Sequence, residues 1–282
     1  MKIKSLKLDV FLREAFFFVL SSLLGILVVF RIYQIPELKK VIDAQRTSLN
    51  PLQFLLSFLI VTVLFLLFLP LFKKKPIFLK FFFYLGVLIG LDVVIGVFLG
   101  EPHALILALI LVILLNMYPR ILFHNVLFSC SLAGIGATLA ASFDPISIVV
   151  ILGILAFYDI VAVYFTKHMV KMAQIPAKQG VFFGLILPKR NKDFLKDKPI
   201  LKFGKKSAYY FLGGGDVVLP MILAISVVKE SLIDALIVSL FSFLGLFLLH
   251  LIFVFQKNKK PMPGLPPLIL MTILGYLITT LI

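Results

Sequence analysis

Two aspartates stand where an apolar sequence has little reason to put them. Asp159 lies within Ala156-Phe157-Tyr158-Asp159-Ile160-Val161-Ala162-Val163, and Asp216 follows Gly213-Gly214-Gly215, 57 residues further on. Ionisable groups at membrane depth are costly and are read as functional, with a partner to be named. Each carboxylate is the natural partner of the other. Two carboxylates a few ångströms apart resist double ionisation and share one proton near neutral pH. The ionised member can take a proton from water as it attacks a carbonyl, while the protonated member donates to the carbonyl oxygen. That chemistry is hydrolysis, with a bell-shaped dependence of rate on pH. The titration belongs to the pair, so acid and base are not assigned to either residue.

The elements that must position these residues are membrane spans. The chain of 282 residues is 61% hydrophobic, with 30 Phe and no Trp, far above the apolar share of a soluble domain. The fold class expected is an all-α polytopic membrane protein. Nine transmembrane helices follow from hydropathy, at about 15–35, 52–72, 78–99, 103–117, 123–142, 145–165, 208–228, 231–255 and 263–282. The net charge of +15 sits in short connections between apolar runs, so no nucleic-acid partner is expected. Placing the N-terminus inside puts 23 of the 28 Lys and Arg on the cytoplasmic side and 5 outside. The N-terminus is therefore read as cytoplasmic and the C-terminus as outside. Cys130 stands alone, and His103, His124, His168 and His250 have no ligand spacing. No disulfide, metal or other cofactor is expected.

Three regions follow: 1–165 with helices one to six, a basic cytoplasmic loop at 166–207, and 208–282 with helices seven to nine. Segments six and seven run antiparallel across the loop. Asp159 and Asp216 then lie roughly 9 and 12 Å from the same face, at 1.5 Å per residue. Gly213, Gly214 and Gly215 read as a weak point inside segment seven that permits a local break. Pro261-Met262-Pro263-Gly264-Leu265-Pro266-Pro267 opens segment nine on the same side, where repeated proline excludes a regular helix. An extended stretch there could hold a peptide by strand addition. The apolar island at 180–188 within the loop reads equally as a patch resting on the membrane surface or as a lid, plug or substrate-pairing strand.

Together these residues resemble the presenilin and signal peptide peptidase family of intramembrane aspartyl proteases, most closely its archaeal members. Tyr158-Asp159 is similar to the family's Tyr-Asp motif, and Gly213-Gly214-Gly215-Asp216 to its Gly-x-Gly-Asp motif. Pro263-Gly264-Leu265 occupies the place of its Pro-Ala-Leu motif, with glycine for alanine. The resemblance covers most of the chain and is strongest from about residue 120. It implies Asp159 and Asp216 as the catalytic pair, and Tyr158, Gly213, Gly214, Gly215, Pro263, Gly264 and Leu265 as substrate-positioning residues. It further implies a multi-pass protein of a prokaryotic, archaeal-like cell membrane. The partners would be the lipid bilayer and a transmembrane helix of a substrate protein, with room for a homo-oligomer. The inferred orientation resembles presenilin, whose substrates present a cytoplasmic C-terminus.

Rival readings are an ion- or proton-coupled transporter or channel, which also uses intramembrane aspartates and broken helices, and a prepilin-peptidase-like protease. No inverted repeat is evident, and the paired aspartates share a depth near one face rather than the midplane. Asp92 lies near the midplane and matches no motif. A structural, hydrogen-bonded role is expected for it. Asp144 and Asp234 fall near outer span ends, and Asp193 and Asp197 in the solvated loop.

Overall fold

Apolar runs separated by Pro, Asn, Asp and Ser should form helices that begin at those polar residues. In the computed structural model they do. It describes residues 7–40, 50–166, 175–197, 209–256 and 262–281. The helices are α1 (Leu8–Gln34), α2 (Pro51–Lys74), α3 (Ile77–Leu99), α4 (His103–Met117), α5 (Ile121–Ser142), α6 (Pro145–Ile160), α7 (Gly214–Ser226), α8 (Leu232–Phe255) and α9 (Leu265–Leu281). Side-chain caps explain several starts. Asn50 accepts the Leu52 N–H ahead of Pro51, Asp144 accepts the Ser147 N–H ahead of Pro145, and Ser231 accepts the Asp234 N–H. Among the described residues, six helical segments are long and apolar enough to cross a membrane; His103–Met117 and Leu265–Leu281 are shorter apolar helices.

Two departures from an all-α fold bear on the site. Segment seven does not begin as a helix. Tyr209–Gly213 is a strand, β2, paired antiparallel with Gly184–Pro188, β1, in the register Gly184↔Gly213 to Pro188↔Tyr209. The second half of the apolar island, 184–188, is thus a buried strand, with Leu185, Ile186 and Leu187 all at 0% exposure. In addition, α6 widens over Val161–Phe165 into a π turn, a feature that often accompanies functional sites.

The core is built around α5, whose spanning window is 67% buried. It packs against α1, α3 and α7 and against β1. Small residues make this close packing feasible: Gly90 of α3 and Gly134 of α5 cross backbone to backbone, where neither has room for a Cβ. At the other extreme is α2, whose spanning window has no buried residue. The helices α8 and α9 form a tight antiparallel pair joined by a Ser242–Thr272 hydroxyl contact of 2.9 Å.

Candidate active site

Asp159 comes from the last turn of α6 and is 2% exposed. Its partner group is the start of α9. The first N–H groups of any helix lack an intrahelical acceptor, and here Pro266 and Pro267 carry no N–H at all. The Leu265 N–H donates to Asp159 Oδ2 at 3.1 Å, and the Gly264 N–H turns to the same carboxylate. The proline-rich opening of α9 therefore delivers main-chain donors to an acid 106 residues earlier in the chain.

Asp216 is half-buried in the first turn of α7. Gly213 is the N-cap, and the carboxylate three residues on receives its N–H, one half of a capping box. The other face of Asp216 lies against Gly264. A Cβ built on Gly264 would sit 3.0 Å from Asp216 Oδ1 and 3.2 Å from Oδ2. The two carboxylates thus meet across one peptide, Gly264–Leu265, close enough for the charge of Asp159 to act on Asp216.

The three glycines differ in what they do. Gly213 ends β2 and caps α7, so the break is a strand-to-helix junction rather than a gap within a helix. Gly214 donates its N–H to Phe183 O at 3.0 Å, and a Cβ there would press on the Phe128 ring at 2.9 Å. Gly215 faces open space. Tyr158 is engaged with α2: its ring meets Phe58 edge-on at 5.8 Å and its hydroxyl bonds Thr62. Pro263 is buried beside Gly264, and Leu265 is buried at 5% exposure. Pro261 lies outside the described residues.

Comparison with known proteins now decides the family. The signal-peptide peptidase, presenilin aspartyl protease family model matches residues 15–282. The chain belongs to this family. Two solved structures of a presenilin family intramembrane aspartate protease share its fold. One, in the C222 space group, has 24% identity, covers 95% of each chain and gives a TM-score of 0.62. The other, in the P2 space group, has 25% identity, covers 95% of this chain and 96% of its own, and gives a TM-score of 0.61. Comparison with curated proteins gave no match.

This presenilin-family chain is thus an integral, multi-pass membrane protein, and intramembrane aspartyl proteolysis is the activity of its family. The remaining acids stand apart from the pair. Asp92 keeps its place on α3, but its buried Oδ1 has no hydrogen-bond partner among the described residues, unlike the bonded role expected of it. Asp144 and Asp234 sit in helix-start motifs. Asp193 is not solvated as expected: it is buried, 2.8 Å from Lys196 Nζ and 3.3 Å from Arg190 Nε. The Lys196 contact, with Arg190, holds its carboxyl below the usual range. Among the described residues no three His, Cys, Asp or Glu side chains come together as a metal site.

Sequence reasoning missed two polar residues of the site's surroundings, His124 and Asn125, both at 0% exposure on α5. Their signal was available: adjacent polar side chains near the start of an apolar span must find partners.

Proposed function

We propose that the chain is a Gly-x-Gly-Asp-type intramembrane aspartyl endopeptidase that cuts peptide bonds within transmembrane helices of membrane proteins. Asp159 and Asp216 share one proton; the ionised carboxylate activates water and the protonated one polarises the scissile carbonyl. The observation that carries this reading is the convergence of both carboxylates on the Gly264–Leu265 peptide. Main-chain N–H groups of Leu265 and Gly264 on the Asp159 carboxylate orient that acid. No metal or organic cofactor takes part.

The substrate helix must unwind before its carbonyls can be attacked, since its backbone groups are satisfied internally. Gly213, Gly214 and Gly215, with Pro263, Gly264 and Leu265, hold the unwound strand beside the dyad. Tyr158 acts through α2, setting the wall against which that strand lies. Nine spans, with the N-terminus cytoplasmic, put the dyad near the cytoplasmic face of a prokaryotic cell membrane. The loop at 166–207 is then cytoplasmic, between the 1–165 and 208–282 helical regions. Preferred substrates are helices with a cytoplasmic C-terminus.

The test is cleavage of a transmembrane peptide by the purified chain in detergent, beside Asp159→Ala and Asp216→Ala. Cuts within the apolar segment by wild type, and none by either folded variant, are the expected result. A variant that still cuts at the wild-type rate overturns the dyad. Transport of an ion with no cleavage of any transmembrane peptide would move the reading to a carrier.

A further inference from the structure

The fully buried polar pair on α5 is engaged in a way that neither the dyad nor helix packing requires. The Asn125 Nδ2 donates to Ile186 O at 2.7 Å, and the Ile186 N–H donates back to Asn125 Oδ1 at 2.9 Å. Two residues earlier on the same strand, Gly184 O lies 3.0 Å from His124 Nε2. In an antiparallel pair, the N–H and C=O of alternate residues point toward the partner strand and those between point away. Gly184 and Ile186 therefore both direct their outward groups at α5. The Asn125 carboxamide, with a donor and an acceptor side by side, satisfies Ile186 as a peptide of a third strand would.

We propose that His124 and Asn125 are positioning residues for Asp216: they replace a third strand on the far edge of β1, and through β1 they fix β2 and the start of α7. This inference rests on the dyad reading of Asp216. Each link in the path is short. The ladder pairs Gly184 with Gly213, and the Gly214 N–H closes onto Phe183 O at 3.0 Å. A Cβ on Gly184 would meet Leu212 O at 2.5 Å, so the two strands touch where they feed the helix. The same α5 face closes the path from the other side. Phe128, one turn after His124 and stacked on it at 5.6 Å and 10°, bears on Gly214. Phe83 stacks on the His124 ring at 5.5 Å and 14°, so the imidazole is held in a fixed plane. One consequence concerns substrate: a strand cannot add to β1 at Ile186, because that edge is already taken.

Two variants of the full chain in detergent test this. Asn125→Leu keeps the volume and removes both bonds to Ile186. His124→Phe keeps the stack and removes only the contact with Gly184 O. Backbone hydrogen exchange of Asn125→Leu should rise about tenfold or more across 184–188 and 209–213, with the cores of α1 and α3 unchanged. Cleavage kcat should fall about tenfold with KM within about twofold, and cuts should spread to bonds beside the wild-type site. The His124→Phe variant should show the same signs, smaller and confined to the Gly184–Gly213 end. A purely structural role would raise exchange throughout and leave the cut positions alone; that result overturns the proposal. Unchanged strand exchange in a folded Asn125→Leu overturns it too. Exchange needs no turnover, so it judges the anchor even if the dyad reading fails on its own test.

Discussion

The two carboxylates of the pair are held by opposite kinds of structure. Asp159 sits on a helix and is met by the proline-rich start of another helix, α9. Asp216 sits at the start of α7, which is fed by a two-stranded sheet whose buried strand, β1, is gripped along its far edge by α5. The first arrangement depends on the main-chain N–H groups of Gly264 and Leu265, the latter at 3.1 Å, from a distant part of the chain. The second is a dense, closed network of main-chain bonds. Asp159 should therefore be sensitive to one peptide segment, Gly264–Leu265, and Asp216 to the integrity of a small sheet.

The largest effect that separates them is expected from Leu265→Pro. Proline is tolerated at a helix start but has no N–H. Losing a hydrogen bond to a charged group should lower kcat about 10- to 100-fold, and the α7 side should keep its exchange protection. A variant that cleaves normally would mean the Asp159 side needs no such anchor. Next comes Gly184→Ala, whose methyl would strike Leu212 O. Overpacking of this kind costs about 1–3 kcal/mol, read as a lower thermal midpoint in detergent, with activity falling because Asp216 shifts while Asp159 keeps its contact.

Gly264→Ala touches both sides at once. Its methyl would lie 3.0 Å from Asp216 Oδ1, a clash that a small rotation of the carboxylate relieves. An off-rotamer shift of that size predicts a loss in kcat of about threefold. An unchanged rate would show that Asp216 has slack. Glycine stands here in the place of the family's alanine, and a methyl at this position would point straight at Asp216.

The smallest effect should come from Asp193, remote from both carboxylates. Its depressed folded value means that its bonds to Lys196 and Arg190 stabilise the fold above the ordinary carboxylate range and are lost as pH falls through that folded value. Asp193→Asn should lower the thermal midpoint slightly at neutral pH, and the gap from wild type should close on strong acidification. A gap that persists at low pH would assign the effect to shape rather than charge.

Much of the Asp159 side was legible in the sequence, because it is made of long-range signals that hydropathy carries: an acid in a span, an antiparallel neighbour at equal depth, and a run of prolines on the same face. The Asp216 side was harder. The run Val181 to Leu187 is apolar throughout, and a short buried strand cannot be told from a helix segment by period alone. The aromatic run Tyr209-Tyr210-Phe211 was the available hint of β structure, yet it was absorbed into a span because Gly213 to Gly215 read as a flaw in a helix. Asn125 and His124 went unread for another reason: the histidines were weighed only as metal ligands, and a side chain that imitates a strand leaves no periodic trace. Tyr158 was legible as a neighbour of the acid, but its attachment to Phe58 and Thr62 of α2 was not.

The contact between Leu265 and Asp159 also sets an order of events during synthesis. Asp216 leaves the ribosome 49 residues before Leu265, from positions 216 and 265. At roughly 5–20 residues per second that interval lasts seconds. During it the chain has both acids but lacks the N–H groups of Gly264 and Leu265 that meet one of them. A nascent chain inserted as far as α8 therefore holds both carboxylates without the main-chain donors that meet Asp159, which come only when α9 docks along α8.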